Sequence, residues 1–514
     1  MTTAAVRTPV PSRSPTGPIP SFARRPVLLV AGAAVALLLA VAGRYGYFFD
    51  ELYFRVAGEH LDWGYIDQPP LLPLLAKVQI ALFGDHVWAI RVVPALLAGL
   101  TVVVAALVAR ELGGDRGAQT WTAIAVAGSP YPLWVDHLLQ TAGVDILVWV
   151  TLCWLTLRML RTRDRRWWVV FGAVGGIGLQ SKNLVALLVI ALLAGLVVAG
   201  DRDLLRGRHL PIGLGVAALL GGSAVLWQAT HGWPQFAMAD AIAASTLKSG
   251  WGTYLATFAP FVATLLGPFV AVVWLCGLAG FFRARWRPYR AVGVAFVVVC
   301  LLIAVSGGFP TYTAGFLPVL LAAGCVVAGD WARRGRRVVR TAVLRAAIGL
   351  NVVLVVAAGL PLVSPEALGH GFLFRLNPTL SRQVGWPELA GQVAAVYDRI
   401  PAVDRPHTAI VTGTFGEAGA LDRYGPEHGL PPVYSGHNSY LGWGRPGPEV
   451  TTVLAVDLGP EITELFMRCE PPVPVADTAG ARTITAGKTL VVCRDPRAPW
   501  SALWPRFGHT DLGY

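Results

Sequence analysis

Two adjacent carboxylates, Asp50 and Glu51, follow an apolar segment and lie among aromatic residues that include Tyr53. Charged groups near a bilayer are costly, and they tend to mark functional sites. A carboxylate within hydrogen-bond reach of a hydroxyl can accept its proton, which makes a poor nucleophile more reactive. Acidic residues also favour the N-terminus of a helix, so the pair would equally cap an interfacial helix over residues 51–60. The two roles are compatible.

A second polar motif follows in the same part of the chain. Asp67 and Gln68 directly precede the pair Pro69 and Pro70. Residues 70–83 are apolar but too few to span a bilayer alone, so they predict a re-entrant or interfacial helix. The elements that position both motifs are therefore helices at or within a membrane.

The composition of the chain is that of a membrane protein. Of its 514 residues, 54% are hydrophobic and only 14% are charged, whereas soluble domains carry about a quarter charged residues. The apolar residues come in blocks of about twenty, the length that crosses a hydrocarbon core. The sequence therefore predicts an all-α polytopic membrane domain with about eleven transmembrane helices, over residues 26–362.

The basic residues give the orientation of this domain. Arginines cluster in alternate gaps between the apolar blocks, which is the positive-inside pattern. The net charge of +12 thus reflects topology and predicts a lipid bilayer as partner, with no nucleic acid. We expect a multi-pass plasma-membrane protein with a cytoplasmic N-terminus. The loop 44–86 then lies outside because it follows the first span, and an odd number of spans also places the C-terminal region outside.

The two ends of the sequence differ from the apolar domain. Residues 1–25 are rich in Pro, Ser, Thr and Arg and predict a disordered cytoplasmic tail. Residues 363–514 are polar, with short apolar runs, and predict a small soluble extracytoplasmic α/β domain. Its predicted elements are strands near 408–413, 451–456 and 488–493, and helices near 387–399 and 459–468.

The six cysteines divide between these two regions. Cys469 and Cys493 lie in the polar C-terminal region. An extracytoplasmic compartment permits disulfides, so these two are a candidate pair. The other four lie within apolar blocks and are expected to be inert packing residues.

The motifs together resemble glycosyltransferase family 39, which includes protein O-mannosyltransferases and lipid A aminoarabinose transferases. The resemblance rests on Asp50 and Glu51 after the first helix, followed by Asp67 and the Pro-Pro pair. It implies a GT-C-type fold with its active site at the extracytoplasmic surface. It also implies transfer of a sugar, with inversion, from a polyprenyl-phosphate carrier to an envelope acceptor. That acceptor would be a glycolipid, a polysaccharide or a protein hydroxyl.

The same resemblance implies roles for single residues. Asp50 would be the general base, and Glu51 would position the substrate or support Asp50. The aminoarabinose branch carries a Lys before the Pro-Pro pair, where this chain has Gln68, which brings no charge. Lys182, in an outer turn where the family often has a Lys, is the best replacement as a phosphate partner. Alternatively, Lys182 lies at a helix end and only extends its ammonium to the membrane interface.

Further substrate-binding candidates lie at the predicted outer ends of helices. Asp145, inside a span, should face the bundle or a cavity. His137 is either a substrate ligand or simply hydrated, and Lys248 is a second phosphate candidate. Tyr312 is either a contact to the lipid carrier or a member of the aromatic belt. Tyr53, Asp67 and Gln68 complete the candidate donor-binding set.

In the C-terminal region, His437 and Asn438 lie in a polar, aromatic loop. This loop would either recognise an acceptor or form a structured turn. No cofactor is predicted with certainty. Asp50, Glu51 and Asp145 would hold a divalent cation only if they converge.

Two other functions remain open from the sequence. A transporter or flippase of lipid-linked sugars would also have many helices and charges within the membrane, but it would transfer no sugar. A non-catalytic envelope assembly protein would use the polar C-terminal region to bind a partner.

Overall fold

The computed structural model describes residues 19–334, 337–368, 377, 379–478 and 483–513. Most of the predicted tail, residues 1–25, lies outside the described residues, and the first helix begins at Arg24. The chain up to Leu368 is helical. Its α-helices are α1 (Arg24–Val41), α2 (Phe49–Glu59), α3 (Leu71–Phe83), α4 (Val92–Glu111), α5 (Arg116–Ala127), α6 (Pro130–Asp136), α7 (Thr141–Thr162), α8 (Trp167–Leu179), α9 (Leu184–Ala199), α10 (His209–Thr230), α11 (Pro234–Thr246), α12 (Trp251–Thr264), α13 (Ala271–Phe281), α14 (Arg290–Val305), α15 (Leu317–Arg333), α16 (Arg337–Gly359) and α17 (Pro365–Leu368).

Many of these helices are membrane spans by length and composition. Among the described residues, seven helical segments are long and apolar enough to cross a bilayer. An eighth span results if α12 and the segment Pro268–Phe281, which meet at an angle of 84°, are counted as one broken span. Three further apolar helices, α3, α8 and α9, are shorter. The predicted short helix over residues 70–83 is confirmed as α3, whereas the number of eleven spans remains a prediction.

Close approach of backbones at glycine holds the helices together. A Cβ atom on Gly172 of α8 would lie 1.9 Å from the carbonyl oxygen of Gly213 on α10. A Cβ atom on Gly195 of α9 would lie 2.2 Å from the carbonyl oxygen of Ala291 on α14. Small residues at such crossings let helices pack closely where no hydrophobic effect drives association.

The C-terminal region forms a six-stranded mixed sheet in the order β2-β1-β3-β6-β4, with β5 also on β6. β1 pairs in parallel with β2 and β3, whereas β6 runs antiparallel to its neighbours. The predicted strands correspond to β1, β3 and β6. The strands are β1 (Thr408–Thr412), β2 (Val433–Ser435), β3 (Thr452–Val456), β4 (Phe466–Cys469), β5 (Val473–Pro474) and β6 (Thr489–Pro496).

The helices of this region are α18 (Trp386–Tyr397), α19 (Phe415–Tyr424), α20 (Ile462–Leu465) and α21 (Trp500–Leu503). The helix predicted near 387–399 is therefore present as α18. The helix predicted near 459–468 is correct only over the four residues of α20, because the chain enters β4 directly after them. Within β4, Cys469 pairs with Cys493 of β6, and a disulfide joins the two.

The C-terminal region packs directly on α2, the helix that bears the two acids. A Cβ atom on Gly419 of α19 would lie 2.9 Å from the backbone of Leu52, so the two helices touch without a gap. The indole N–H of Trp386 donates to the carbonyl oxygen of Tyr47 at 3.0 Å. The backbone N–H of Ile66 donates to Ser439 Oγ at 3.0 Å. Both polar motifs are thus held between the helical bundle and the sheet.

Candidate functional site

Glu51 lies at the centre of a buried hydrogen-bond network. Its side chain is 0% exposed and accepts from Arg91 Nε at 2.9 Å and from Arg91 Nη2 at 2.8 Å. It also accepts from the backbone N–H groups of Phe48 at 2.8 Å and Leu139 at 2.9 Å. The bond to Phe48 satisfies a free donor at the start of α2, as a capping carboxylate does. Glu51 therefore joins the beginning of α2 to the segment before α7.

The rest of this network lies behind Glu51. The side-chain oxygen of Gln383 accepts from Arg91 at 3.3 Å, and its amide nitrogen lies 3.4 Å from Nε2 of His137. His137 is 1% exposed. Of the two roles implied for Glu51, these contacts favour support of its neighbour Asp50, and they place His137 in the same buried support.

Asp50, in contrast, is partly exposed, and its carboxylate makes no hydrogen bond or ion pair within the described ranges. Burial raises the pKa of Asp50 to about 7. The positive charge of Arg382 acts to lower this pKa, and the negative charge of Asp67 acts to raise it. A general base works best when its pKa lies near the working pH. Asp50 is therefore an accessible carboxylate with a pKa suited to proton transfer.

Asp67 lies beside Asp50 and is oriented by Tyr53. The Tyr53 hydroxyl donates to Asp67 Oδ1 at 2.8 Å, and burial raises the pKa of Asp67 to about 6. Gln68 is buried, and its amide nitrogen has no partner among the residues that the structure describes. The backbone N–H of Leu71 donates to the carbonyl oxygen of Gln180 at 2.9 Å, so this loop is fastened to the turn before α9.

That turn carries Lys182, whose ammonium lies 4.7 Å from the ring centre of Tyr312. An ammonium over an aromatic face is a favourable cation–π arrangement. Burial lowers the pKa of Lys182, while the charges of Asp145 and Asp50 oppose that effect. In the described part of the chain the ammonium has no hydrogen-bonded or ion-paired partner. Lys182 is thus a desolvated cation close to Asp50 and available to an anion.

Six predicted site residues therefore meet in one place: Asp50, Tyr53, Asp67, Asp145, Lys182 and Tyr312. Asp145 is buried on α7 and acts electrostatically on Lys182. Lys248 is exposed on the connection between α11 and α12, and no contact of the described residues joins it to this group.

One cation of the site was missed in the sequence. Arg382 lies in a short 3₁₀ segment before α18, 5.3 Å from the ring centre of Phe49, and lowers the pKa of Asp50 by its charge. Its segment has no periodic pattern, so only its basic character gave a signal. A second cation therefore lies on the Asp50 side of the site.

His437 and Asn438 lie in the junction between the C-terminal region and the loop that bears Asp67. His437 is 0% exposed, stacks on Phe415 with ring centres 4.7 Å apart, and accepts from the Phe415 N–H at 3.1 Å. Asn438 is buried, and its backbone N–H donates to the carbonyl oxygen of His509 at 3.0 Å. These contacts describe a structured turn that fixes the junction.

One group of histidine and acidic side chains lies close enough together to be considered as a metal site. His437, His509 and Asp511 bring possible ligand atoms within 4.8 Å of one another. However, Nδ1 of His437 accepts a backbone N–H, so the ring proton is on Nε2, the atom that faces Asp511. An imidazole that ligates a metal through Nε2 needs its proton on Nδ1. The arrangement therefore fits a His–Asp hydrogen bond and does not fit a metal site. Glu51 is already occupied by Arg91, so it is not free to join Asp50 and Asp145 as a ligand.

A cleft of ≈ 600 Å³ opens beside the loop that bears Asp67. Aromatic faces line it in two stacked pairs. His60 stacks on Trp443 with ring centres 5.0 Å apart, and Trp227 stacks on His231 at 4.0 Å. Ile66, the residue before Asp67, also lines the cleft. Such a surface suits the faces of sugar rings.

Comparison with known proteins agrees with this geometry. Residues 67–227 match the family model described as dolichyl-phosphate-mannose-protein mannosyltransferase. The chain is also 26% identical over 282 residues to an undecaprenyl phosphate-alpha-4-amino-4-deoxy-L-arabinose arabinosyl transferase of Pseudomonas fluorescens. That alignment covers 50% of this chain and 48% of the relative, so it spans about half the length of the relative.

The fold is shared with solved structures over nearly the whole chain. Crystal structures of ArnT from Cupriavidus metallidurans, in the apo state and bound to undecaprenyl phosphate, superpose with TM-scores of 0.59 and 0.56. Identity is 18% and 17%, and each comparison covers 91% of this chain and 97% of the other. The chain is thus similar to GT-C-type membrane glycosyltransferases, in sequence over residues 67–227 and in fold over most of its length.

Proposed function

We propose that this protein transfers a sugar from a polyprenyl-phosphate carrier to a hydroxyl of an envelope acceptor, with Asp50 as general base. The observation that carries the proposal is that two groups of opposite charge lie close enough to act on each other electrostatically. Among the described residues, the carboxylate of Asp50 and the ammonium of Lys182 form no hydrogen bond and no ion pair. The first suits the acceptor hydroxyl, and the second suits the phosphate of the carrier.

The reaction follows from these two groups. Asp50 takes the proton of the acceptor hydroxyl while the hydroxyl oxygen forms a bond to the anomeric carbon of the sugar. The bond from that carbon to the phosphate oxygen breaks, and the carrier phosphate leaves with the electron pair. Attack opposite to the leaving group inverts the anomeric carbon. The growing negative charge on the phosphate is stabilised by Lys182, a preorganised cation in a desolvated place.

The names of the relatives support the donor class. The relative from Pseudomonas fluorescens is named as a transferase that uses an undecaprenyl-phosphate-linked aminoarabinose, and one superposed structure contains undecaprenyl phosphate. Gln68 stands in this chain where the aminoarabinose branch has a Lys. We therefore assign a polyprenyl-phosphate pentose or hexose as donor and leave the sugar unassigned. The transporter alternative is not favoured, because these relatives are transferases.

The aromatic cleft beside Asp67 is proposed as the approach of the acceptor. Trp227 contributes an aromatic face there, and its indole N–H donates to Asp62 at 2.8 Å. Replacing Trp227 by Leu should raise the KM for a glycan acceptor while donor hydrolysis stays unchanged, whereas Trp227→Phe should retain most of the affinity. Equal kinetics for the two variants would remove Trp227 from acceptor binding.

The central test is Asp50→Asn, assayed with purified protein in detergent. Undecaprenyl-phosphate-linked pentoses and hexoses would serve as donors and membrane glycans as acceptors. We expect transfer to fall by about 10²-fold or more, the range for loss of a general base. Glu59→Gln is the matched control, because Glu59 is an exposed acid on the same helix.

Two results would overturn the proposal. Near-normal turnover by Asp50→Asn would remove Asp50 from proton transfer. Binding of donor lipid by the wild-type protein with no product from any acceptor would favour the transporter instead.

A further inference from the structure

A groove of ≈ 720 Å³ opens between α13, α15 and α16, and no part of the proposed reaction uses it. Its walls are largely apolar. They include Val272 and Cys276 of α13, Val327 of α15, and Val343 and Leu344 of α16. Val272 and Val343 are 69% and 56% exposed, so the groove is open to the surroundings of the bundle.

The fold creates this groove by holding α16 at a distance. α13 and α15 pack without space, because a Cβ atom on Gly277 or Gly324 would lie 2.1 Å from a carbonyl oxygen of the other helix. α16 is fastened instead near its other end. The Asn351 side chain donates to the carbonyl oxygens of Leu266 at 2.9 Å and Gly128 at 3.1 Å. Between Asn351 and the beginning of α16, the groove separates α16 from α13.

One end of the groove is strongly basic. Arg285 is ion-paired with Asp330. Arg340 donates to the carbonyl oxygen of Trp331 at 2.8 Å and lies 4.7 Å from the centre of its ring. In the part of the chain that the structure describes, Arg283 and Arg334 form no ion pair, and both are exposed. The mouth therefore presents two available guanidinium groups above an apolar wall.

The dimensions of the groove fit one leaflet of a bilayer. Val272 and Arg283 are eleven residues apart along the segment, which is roughly 16 Å at the rise of an α-helix. That is about half of the ≈ 30 Å hydrocarbon core. A ligand with one charged end and an apolar part about as long as a leaflet would place its charge at the arginines.

The groove is separate from the candidate catalytic site. The helical segment Pro310–Arg333 is long enough to cross a membrane. Tyr312, which contacts Lys182, lies near its first end, whereas Trp331 lies near its last. The two places therefore face opposite surfaces of the membrane, and the carrier at Lys182 does not occupy the groove.

We propose that this groove binds an anionic phospholipid, with the phosphate at Arg283 and Arg334 and an acyl chain along α13 and α16. Charge complementarity selects the occupant. Basic pockets between transmembrane helices are suited to anionic headgroups, and guanidinium groups bind phosphate in a two-pronged manner. A zwitterionic lipid would fill the same walls but would gain less from the two arginines.

The test is native mass spectrometry of the full chain in detergent, titrated with phosphatidylglycerol, phosphatidylcholine and undecaprenyl phosphate. The first variant is Arg283→Gln with Arg334→Gln. Its matched control is Arg202→Gln with Arg208→Gln, two exposed arginines in the basic connection between α9 and α10, outside the groove. A second variant, Val343→Trp, fills the groove and keeps all charges.

We expect tight binding of one phosphatidylglycerol, weakened about tenfold by the double substitution in the groove and unchanged in the control. Val343→Trp should also weaken binding. Because this variant keeps all charges, its effect cannot come from a fold defect caused by the loss of the two arginines. Equal retention of phosphatidylcholine, preferential retention of undecaprenyl phosphate, or equal loss in the groove and control variants would overturn the proposal.

Discussion

The guanidinium of Arg91 holds the carboxylate of Glu51 through two N–H groups, at 2.9 and 2.8 Å, with both side chains almost fully buried. Two neighbouring acids on α2 therefore have different environments. Glu51 is satisfied by four donors, whereas the carboxylate of Asp50 makes no hydrogen bond or ion pair with the described residues and is partly exposed. The helix that presents Asp50 is fixed by the residue directly after it.

Glu51→Ala should destabilise the protein much more than Asp50→Ala. It would leave Arg91 as a buried charge without its partner, which costs about 3–5 kcal/mol. The measurement is the unfolding temperature in detergent, followed by the fluorescence of a thiol-reactive dye or by loss of monodisperse protein. Arg91→Met should show a loss of similar size. A Glu51→Ala protein with unchanged stability and no activity would instead assign Glu51 a direct role in the reaction.

The rate of transfer should rise with pH through about 7, because Asp50 must lose its proton to act as a base and its pKa is raised to about 7. The measurement is kcat/KM for the acceptor between about pH 5 and pH 9. In Glu59→Gln the midpoint should stay in place. A profile that is flat across this range would show that no group with this pKa limits the reaction.

Asp50→Asn should also make the folded protein more stable at alkaline pH. The carboxyl of Asp50 binds its proton more tightly in the folded state than in the unfolded chain, where its pKa is near 3.8. Ionisation therefore costs folding free energy as the pH rises from about 4 to about 7, and the cost persists above that. The variant should melt above the wild type at pH 8 and equal to it below about pH 4. Equal melting at both values would contradict the raised pKa.

Lys182→Gln should raise the KM for the lipid-linked donor by roughly tenfold to a hundredfold, the loss expected for a hydrogen bond to a charged group. Lys248→Gln removes an exposed lysine that contacts none of the site and is the matched control. Tyr312→Phe keeps the ring beneath the ammonium and should be mild, whereas Tyr312→Leu should resemble the loss of Lys182. Unchanged donor affinity in Lys182→Gln would exclude the lysine from phosphate binding.

Cys469→Ala together with Cys493→Ala should lower the stability of the C-terminal region by about 3 kcal/mol, the typical effect for a closed loop of this size. The two cysteines are separated by 24 positions and join β4 to β6. A reducing agent should lower the melting temperature of the wild-type protein and leave the variant unchanged. Cys276→Ala, a free cysteine in the helical bundle, should respond to the reducing agent as the wild type does.

Part of this site was predictable because its members are polar residues in apolar surroundings. Asp50, Asp67 and Lys182 each stand out in the sequence, and the structure brings them together. Arg91 was not identified, since it lies at the edge of an apolar block and resembles any basic residue at a helix end. Its partner Glu51 is forty positions away, and its contact Gln383 is 292 positions away. Contacts of this length leave no local pattern.

The C-terminal fold was predicted in the same partial way. The five-residue strands β1 and β3 are buried along their whole length, and their continuous apolar runs were recognised. The strands β2 and β5 have three and two residues, which is too short for an alternating pattern. The residues of β4 lie at the end of the segment predicted as a helix near 459–468. That prediction failed there because pairing with β6 and the disulfide override the local preference.

The indole of Trp386 reaches back to Tyr47 across 339 positions of sequence, and this has a consequence for biogenesis. The ribosome completes Asp50 and Glu51 long before it makes Arg382 and Trp386. Until the C-terminal region has folded against α2, Asp50 lacks the nearby charge of Arg382, which lowers its pKa. A nascent chain therefore acquires the complete electrostatic surroundings of Asp50 only after its C-terminal region has been synthesised and has folded.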